Sequence, residues 1–374
     1  MIVGIPKEIK SQEHRVAIVP GGVEVLVSRG HTVLVEKSAG AGSAIGDEAF
    51  AACGAQLVGR DDVFGRADMI MKVKEPLPAE YPLLRAGQIL YTYLHLASNE
   101  ALTRALLERQ VIGIAYETVE ERGRLPLLTP MSEVAGRVSV QVGARFMEKA
   151  QGGRGVLLSG VPGVPPAKVV VLGGGIVGRN ATQVAVGMGA QVTVLDIDTD
   201  VLARIEETYH GRLTTLKSNP LNVREAIRDA DLVIGAVLVK GDKAPYLVTR
   251  DMLKSMKRGA VIVDVSIDQG GCVETSRPTT HADPVYEVDG IIHYCVANMP
   301  GGVPLTSTYA LTNATLRYAI DLADHGAVKA MTDREGLRKG LNLWKGVVTF
   351  RPIADLFRLA YKSPEEVLGI ASAR

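Results

Sequence analysis

Short apolar runs alternate with stretches of helical periodicity along most of the chain. In the first third, Ile2–Ile5, Thr32–Glu36, Met69–Val73, Ile89–Tyr93 and Val111–Ala115 are four or five residues long and rich in Val, Ile and Leu. Apolar runs of this length without polar alternation fit strands buried on both faces of a parallel sheet. They predict a mostly parallel α/β domain over about residues 1–130. A second series, Val169–Leu172, Gln191–Leu195, Leu213–Leu216, Leu232–Val237, Val261–Val265 and Ile291–Val296, supplies the roughly six strands of a complete dinucleotide fold.

Between the two series a long helix is expected from Thr129 onward, with Ser132 as N-cap and Val134, Val138, Val142 and Phe146 on one face. Residues 151–167 are rich in Gly and Pro and read as a loop. A further helix is expected from Thr306 to about Gly326, with Leu311, Ala314, Tyr318 and Leu322 at helical spacing. The expected fold class is α/β, with two Rossmann-like doubly wound domains of mostly parallel sheets linked by long helices. Residues 1–130 and 305–374 form one discontinuous domain and 131–304 the other, with the active site in the interdomain cleft.

The stretch from Lys168 to Asp198 carries the most specific pattern. The first strand stops at a turn in which Gly173, Gly175 and Gly178 match G-x-G-x-x-G, and a helical pattern follows at once. The first glycine permits the tight turn, the second lets backbone approach a pyrophosphate, and the third lets helix and strand pack closely. The helix N-terminus then offers N–H groups and a partial positive charge to phosphates. Asp196, 18 residues past Gly178, ends the next strand, where an acidic residue about 20 residues on accepts both ribose hydroxyls of NAD. Ile197, Asp198, Thr199 and Asp200 bring no arginine for a 2′-phosphate, which favours NAD over NADP; Arg204 is the nearest basic residue.

Composition narrows the partners. With 42 basic and 41 acidic residues, there is no electrostatic case for nucleic acid or an anionic membrane. Small molecules and copies of the chain itself are the expected partners. Cys53, Cys272 and Cys295 are odd in number, widely spaced and form no C-x-x-C, so they read as core thiols of a reducing compartment. The strand-like MIVGIP start and the lack of a run of about 18 apolar residues lead to the expectation of a soluble cytoplasmic protein.

Candidate chemistry gathers where strands end, because strand C-termini border the ligand crevice of an open parallel sheet. Arg15 follows the first strand, Lys74 the third and His95 the fourth. Each has a plainer reading: a cap charge for Arg15, a surface turn for Lys74, a backbone-satisfied buried ring for His95. Asp268, beyond Val261–Val265 and before Gly270 and Gly271, sits where a carboxylate would face the nicotinamide or simply cap a turn. Asp321 and His325 stand four apart on a helix, but two ligands are too few for a metal, and none is expected.

The segments EHRVAIVP, VKEP, TYLHLA, GGRGVLLSGVPGV, GGGIVG, DQGGCVETSRPTT, VANMPGGVP and TSTYALTNAT resemble those of bacterial alanine dehydrogenases, in the same order and over nearly the whole chain. The resemblance implies reversible oxidative deamination of L-alanine to pyruvate and ammonium with NAD, by a homohexamer. It implies that Arg15 and Lys74 bind the substrate carboxylate and that His95 and Asp268 are the catalytic pair. Around the cofactor it implies Ser132, Ile176, Val177, Asp196, Ser218, Val237, Leu238, Val265, Ser266, Ile267, Asp268, Arg277, Val296, Ala297, Asn298 and Met299. Val201 departs from the pattern where relatives can carry a basic residue near the adenosine, and residues 327–374 match less closely.

The residue types suit that chemistry. A planar guanidinium grips a carboxylate in bidentate fashion and an ammonium adds a point charge. An imidazole titrating near neutrality is suited to moving protons while water adds to an iminium, and a carboxylate stabilises the positive charge. Two other readings stay open: the NAD-binding module of a proton-pumping transhydrogenase, and a dehydrogenase of larger amino acids such as those acting on lysine or saccharopine.

Overall fold

A computed structural model describes residues 1–237 and 244–370. It comprises two compact units, one made of residues 1–131 and the chain from Val303 onward, the other of residues 132–302. In the first, the chain lays down β1 (Ile2–Ile5), β2 (Thr32–Glu36), β3 (Gln56–Val58), β4 (Met69–Met71), β5 (Ile89–Thr92) and β6 (Ile112–Ala115). Neighbours among these six strands all pair in parallel. Every residue of β4, β5 and β6 is buried, the expected fate of strands covered on both faces.

Helix α1 (Thr129–Phe146) contains the residue boundary between the units. The second unit continues with β7 (Lys168–Leu172), α2 (Ile176–Gly187), β8 (Gln191–Asp196), β9 (Thr214–Lys217), β10 (Leu232–Gly235), β11 (Val261–Asp264), β12 (Val285–Val288) and β13 (Ile291–Tyr294). Its sheet is parallel except for β12, which pairs antiparallel with β13 at the edge. From Pro304 the chain returns to the first unit as α3 (Pro304–Asp333), β14 (Leu341–Trp344) and β15 (Val347–Val348). There β14 pairs antiparallel with β6, and β15 with β14.

The two sheets share one plan. The first runs β15-β14-β6-β5-β4-β1-β2-β3 and the second β12-β13-β11-β10-β7-β8-β9. Strand order therefore reverses between β1 and β4 in one sheet and between β7 and β10 in the other. A crevice opens at such reversals, outside the strand C-termini, because successive connections leave toward opposite faces. Two α/β domains of mostly parallel sheets are thus present.

Strands β3, β12, β14 and β15 are not foreseen by apolar periodicity; Gln56, Glu287 and Asn342 leave the first three without a continuous apolar run, and β15 is only two residues long. Helix α1 starts at Thr129, so Ser132 lies inside its first turn and is not the N-cap. Helix α3 extends past Gly326 to Asp333; Gly326, at φ 72° and ψ 163°, breaks the helical geometry and joins two helical pieces. Strands β4 and β10 end two residues earlier than their apolar runs, at Met71 and Gly235; the Lys72 and Ala236 N–H groups still pair with the Tyr91 and Leu172 carbonyls, and Val73 and Val237 are the first to leave the ladder. Among the described residues no helix is long and apolar enough to cross a membrane.

Gly4, on β1 beside the reversal, is closely packed. A Cβ there would lie 2.7 Å from Ala67 Cβ and 3.0 Å from both Ile70 Cδ1 and Val63 Cγ1. Overpacking of this kind costs about 1–3 kcal/mol. Gly4→Ala is therefore expected to lower the urea midpoint by that equivalent, and an unchanged midpoint would refute the close approach of helix and strand.

Candidate active site

In the first unit Arg15 is fully enclosed, its side chain 1% exposed, and is held by Glu13. Arg15 Nε donates to Glu13 Oε1 at 2.7 Å and Nη2 to Oε2 at 2.5 Å, while Nη1 meets Met131 Sδ at 3.0 Å. Burial opposes the Glu13 charge, but the Arg15 hydrogen bonds and charge outweigh it and hold the carboxyl down at about 2. The bidentate edge expected for a substrate carboxylate is thus taken by a carboxylate of the chain itself. Lys74 is half-buried nearby; burial first, then the Arg15 charge, brings its ammonium below the usual lysine value.

The loop carrying Lys74 is fixed from beneath. Glu8 Oε1 accepts the Val73 N–H at 2.6 Å and the Lys74 N–H at 3.3 Å, and Glu8 Oε2 accepts from Lys72 Nζ at 3.0 Å. Lys72 Nζ also donates to Glu80 Oε1 at 2.9 Å, and Glu80 Oε2 accepts the Leu77 N–H at 2.9 Å. All three charged side chains are buried. Desolvation raises the Glu8 pKa despite Lys72; for Lys72 desolvation acts the other way, and the two carboxylates overcome it. Without such partners buried charges are not tolerated.

His95 follows β5 in the left-handed region, at φ 47° and ψ 37°. A non-glycine residue there stores strain that neighbours must hold. Glu117 Oε1 accepts the His95 N–H at 2.6 Å and the Leu94 N–H at 3.1 Å. The Tyr93 ring stacks on the imidazole, with centroids 5.7 Å apart and planes 14° apart, and its hydroxyl donates to the Leu127 carbonyl at 2.6 Å.

In the second unit Gly173, at φ 103°, turns the chain out of β7. A Cβ on Gly178 would lie 1.7 Å from the Gly173 carbonyl oxygen, so only glycine fits that helix–strand contact, whereas a Cβ on Gly175 would meet nothing within 4 Å. Gly175 is the N-cap of α2, with Ile176 and Val177 as its first residues, and no side chain caps that end. Asp196 closes the turn: Oδ2 accepts the Gly174 N–H at 2.6 Å and Oδ1 the Asp198 N–H at 2.8 Å. The Asp196 carbonyl accepts the Ser218 N–H at 2.8 Å. Open space above Gly175, uncapped N–H groups and a carboxylate at the end of β8 are the features that NAD needs.

On the other side of the reversal, Val265–Gln269 forms a single turn of 3₁₀ helix after β11, with Ile267 buried and Asp268 exposed. Ser266 Oγ lies 3.0 Å from the Val237 N–H and 2.8 Å from its carbonyl, bringing Val237 and Ser266 together. Leu238 lies outside the described residues. Arg277 is exposed over the Tyr286 ring, 4.1 Å from its centroid. Val296 and Met299 are buried, Ala297 is exposed, and Asn298, at φ 63°, offers its carbonyl to His281 at 3.2 Å. Ser132 is half-buried on α1, which packs on α2 through Gly136, whose Cβ would meet the Val177 carbonyl oxygen at 2.2 Å.

The structure thus brings Arg15 and Lys74 to the rim of the first reversal, with His95 at the end of the adjoining β5. It gathers the glycine turn, Asp196, Ser218, Val237 and the Val265–Asp268 turn around the second. Val201 Cγ1 packs 2.7 Å from where a Gly174 Cβ would stand. Asp321 is ion-paired with Arg334 at 2.8 Å. Glu8, Glu13, Glu117 and Asp264 are the supports that no sequence pattern marks; only the glutamate two residues before Arg15 stands close enough to have been suspected.

Known proteins match the chain over nearly its whole length. Residues 4–135 match the N-terminal domain, and residues 139–351 the C-terminal domain, of alanine dehydrogenase/PNT. The chain is 55% identical over 372 residues to an alanine dehydrogenase of Methanococcus maripaludis, covering 99% of this chain and all of that one. It is 53% identical to an alanine dehydrogenase of Bacillus subtilis, with 98% of each chain covered. A solved L-alanine dehydrogenase superposes with a TM-score of 0.94 at 51% identity, covering 96% of this chain and 99% of that one. A transhydrogenase from Sinorhizobium meliloti reaches 0.80 at 27% identity, over 93% of this chain and 98% of that one. With both family domains matched in order along the chain, the protein belongs to the alanine dehydrogenase/PNT family.

Proposed function

We propose that the protein is an L-alanine dehydrogenase that uses NAD to convert L-alanine and water reversibly to pyruvate and ammonium. The observation that carries this reading is the full-length likeness to alanine dehydrogenases at above half identity, far above the 27% identity to a transhydrogenase. The choice of NAD rests on Asp196, a carboxylate placed where a ribose hydroxyl would be accepted and a 2′-phosphate repelled. The cofactor would be held by Gly173, Gly175, Ile176, Val177, Gly178 and Asp196, with Ser132, Ser218, Val237, Leu238, Val265–Asp268, Arg277 and Val296–Met299 around it. When bound, NAD accepts a hydride from the substrate α-carbon.

Arg15 and Lys74 orient the substrate by its carboxylate. Glu13 holds the Nε and Nη2 edge of Arg15, so the guanidinium acts on the substrate carboxylate as a fixed positive charge, and Lys74 adds the second. His95 takes a proton from the water that adds to the iminium carbon, and returns one to the amine as the C–N bond breaks. The Glu117 clamp on its backbone keeps the ring on the approach the strained φ sets. Asp268 stabilises the iminium charge. The family likeness also supports a cytoplasmic homohexamer, which light scattering on the purified protein tests.

His95→Ala is expected to lower kcat by about 10²–10⁴-fold, the usual share of a general acid–base, while NADH titration by fluorescence stays within twofold. Near wild-type turnover from a folded variant would remove His95 from the mechanism. Asp196→Ala is expected to weaken NADH by about 10- to 100-fold, as loss of a charge-assisted hydrogen bond does, with the KM for pyruvate little changed. Equal effects on both substrates would rule out the ribose role. No turnover with alanine alongside tight NADH binding would point instead to a transhydrogenase-like binding module.

A further inference from the structure

The carboxylate of Asp264, at the end of β11, is fully buried yet takes part in none of the steps above. Its Oδ1 accepts the Ser266 N–H at 3.1 Å and the Cys272 S–H at 3.5 Å. Its Oδ2 accepts the Cys272 N–H at 3.0 Å, the Val273 N–H at 3.2 Å and the Ser276 hydroxyl at 2.6 Å. These donors lie on both sides of Asp268 in sequence, so one side chain pins the two ends of the loop that displays it. Ser266, the first residue so pinned, is itself tied through Oγ to Val237 after β10.

The site allows little slack. A Cβ on Gly235 would stand 2.9 Å from Asp264 Oδ1, and one on Gly271 would stand 2.8 Å from Oδ2, so backbone walls the carboxylate on both sides. Gly270 and Gly271, at φ 91° and 84°, let the chain double back toward it. Every partner is a donor, which suits the acceptor-only ionised form. Burial pushes the Asp264 pKa up, and the Ser276, Val273 and Cys272 hydrogen bonds work against that rise.

We propose that Asp264 is the positioning residue for Asp268, holding the Val265–Gln269 turn so that the Asp268 carboxylate is presented in its working geometry. The proposal rests on the reading of Asp268 as a reacting-site group. A reacting group displaced by about 1 Å loses on the order of 10²-fold in rate, so the support is as consequential as the group it carries. Asparagine in place of Asp264 turns an amide N–H₂ toward one set of donors and breaks that half of the clamp.

The test is a double-mutant cycle on the full chain with Asp264→Asn and Asp268→Asn, measuring kcat per NADH-binding site so that loss of folded protein does not register. Asp264→Asn alone is expected to lower kcat by about 10- to 100-fold, and to lower it less than about twofold in the Asp268→Asn background, since effects of groups acting as a unit do not multiply. Wild-type kcat for Asp264→Asn, or a loss that persists undiminished in the Asp268→Asn background, overturns the positioning role. Full turnover by Asp268→Asn overturns the reading of Asp268, and this proposal with it. If Asp264→Asn does not fold, Ser276→Ala, which removes one donor and adds no polar group, enters the same cycle. A several-fold loss confined to the Asp268 background supports the proposal, and no loss overturns it.

Discussion

The backbone N–H groups that parallel strands release as they end must find partners, and the site is built on how they do. Within the sheets each N–H is paired across the ladder; beyond the last paired residue it is not, and an unpaired buried N–H costs about as much as a lost hydrogen bond. Four acidic side chains meet that need. Glu8 accepts from Val73 and Lys74, Glu117 from Leu94 and His95, Asp196 from Gly174 and Asp198, and Asp264 from Ser266, Cys272 and Val273. A carboxylate is suited to this because it only accepts, on two oxygens with several lone pairs. Each loop is thereby fixed by a strong, charge-assisted contact.

The same arrangement explains why so many charges are buried in the first unit. Glu13 with Arg15, and Glu8 and Glu80 with Lys72, are desolvated at a cost that apolar side chains of similar volume would not incur. What the ionic versions provide is position. The Lys72 ammonium stitches together two carboxylates whose other oxygens grip the backbone on either side of Lys74 and Glu75. Charge repulsion around Arg15 and Lys74 is thereby offset by Glu13.

Much of this plan is legible in the amino-acid order. The buried strands declare themselves as Val- and Ile-rich runs, and the glycine turn with Asp196 is recognisable because its parts lie within one βαβ unit and each residue type has a local reason. The supports are not legible, since their partners lie far off in sequence: 65 residues separate Glu8 from Val73, and 22 separate Glu117 from His95. Nothing in either glutamate's own neighbourhood distinguishes it from a solvated charge. The ends of β4 and β10 are misjudged by two residues for a related reason. Val73 and Val237 are apolar, but their hydrogen bonds go to Glu8 and Ser266, and not to a neighbouring strand.

The discontinuity of the first unit sets an order of assembly during synthesis. Residues 132–302 form a contiguous unit and leave the ribosome with all of their own sheet. The first sheet does not: the β6 edge, whose four residues are all buried in the finished structure, is covered by β14, more than 200 residues further along. The Val16 N–H and the Tyr91 hydroxyl likewise wait for Thr308 and the Thr315 carbonyl on α3. A nascent chain therefore carries an open, apolar sheet edge while the second unit is being made, the kind of edge on which neighbouring chains pair and aggregate. Translation pauses between Gly302 and Leu341 would prolong that exposure, making the pace of elongation over this short interval a determinant of yield.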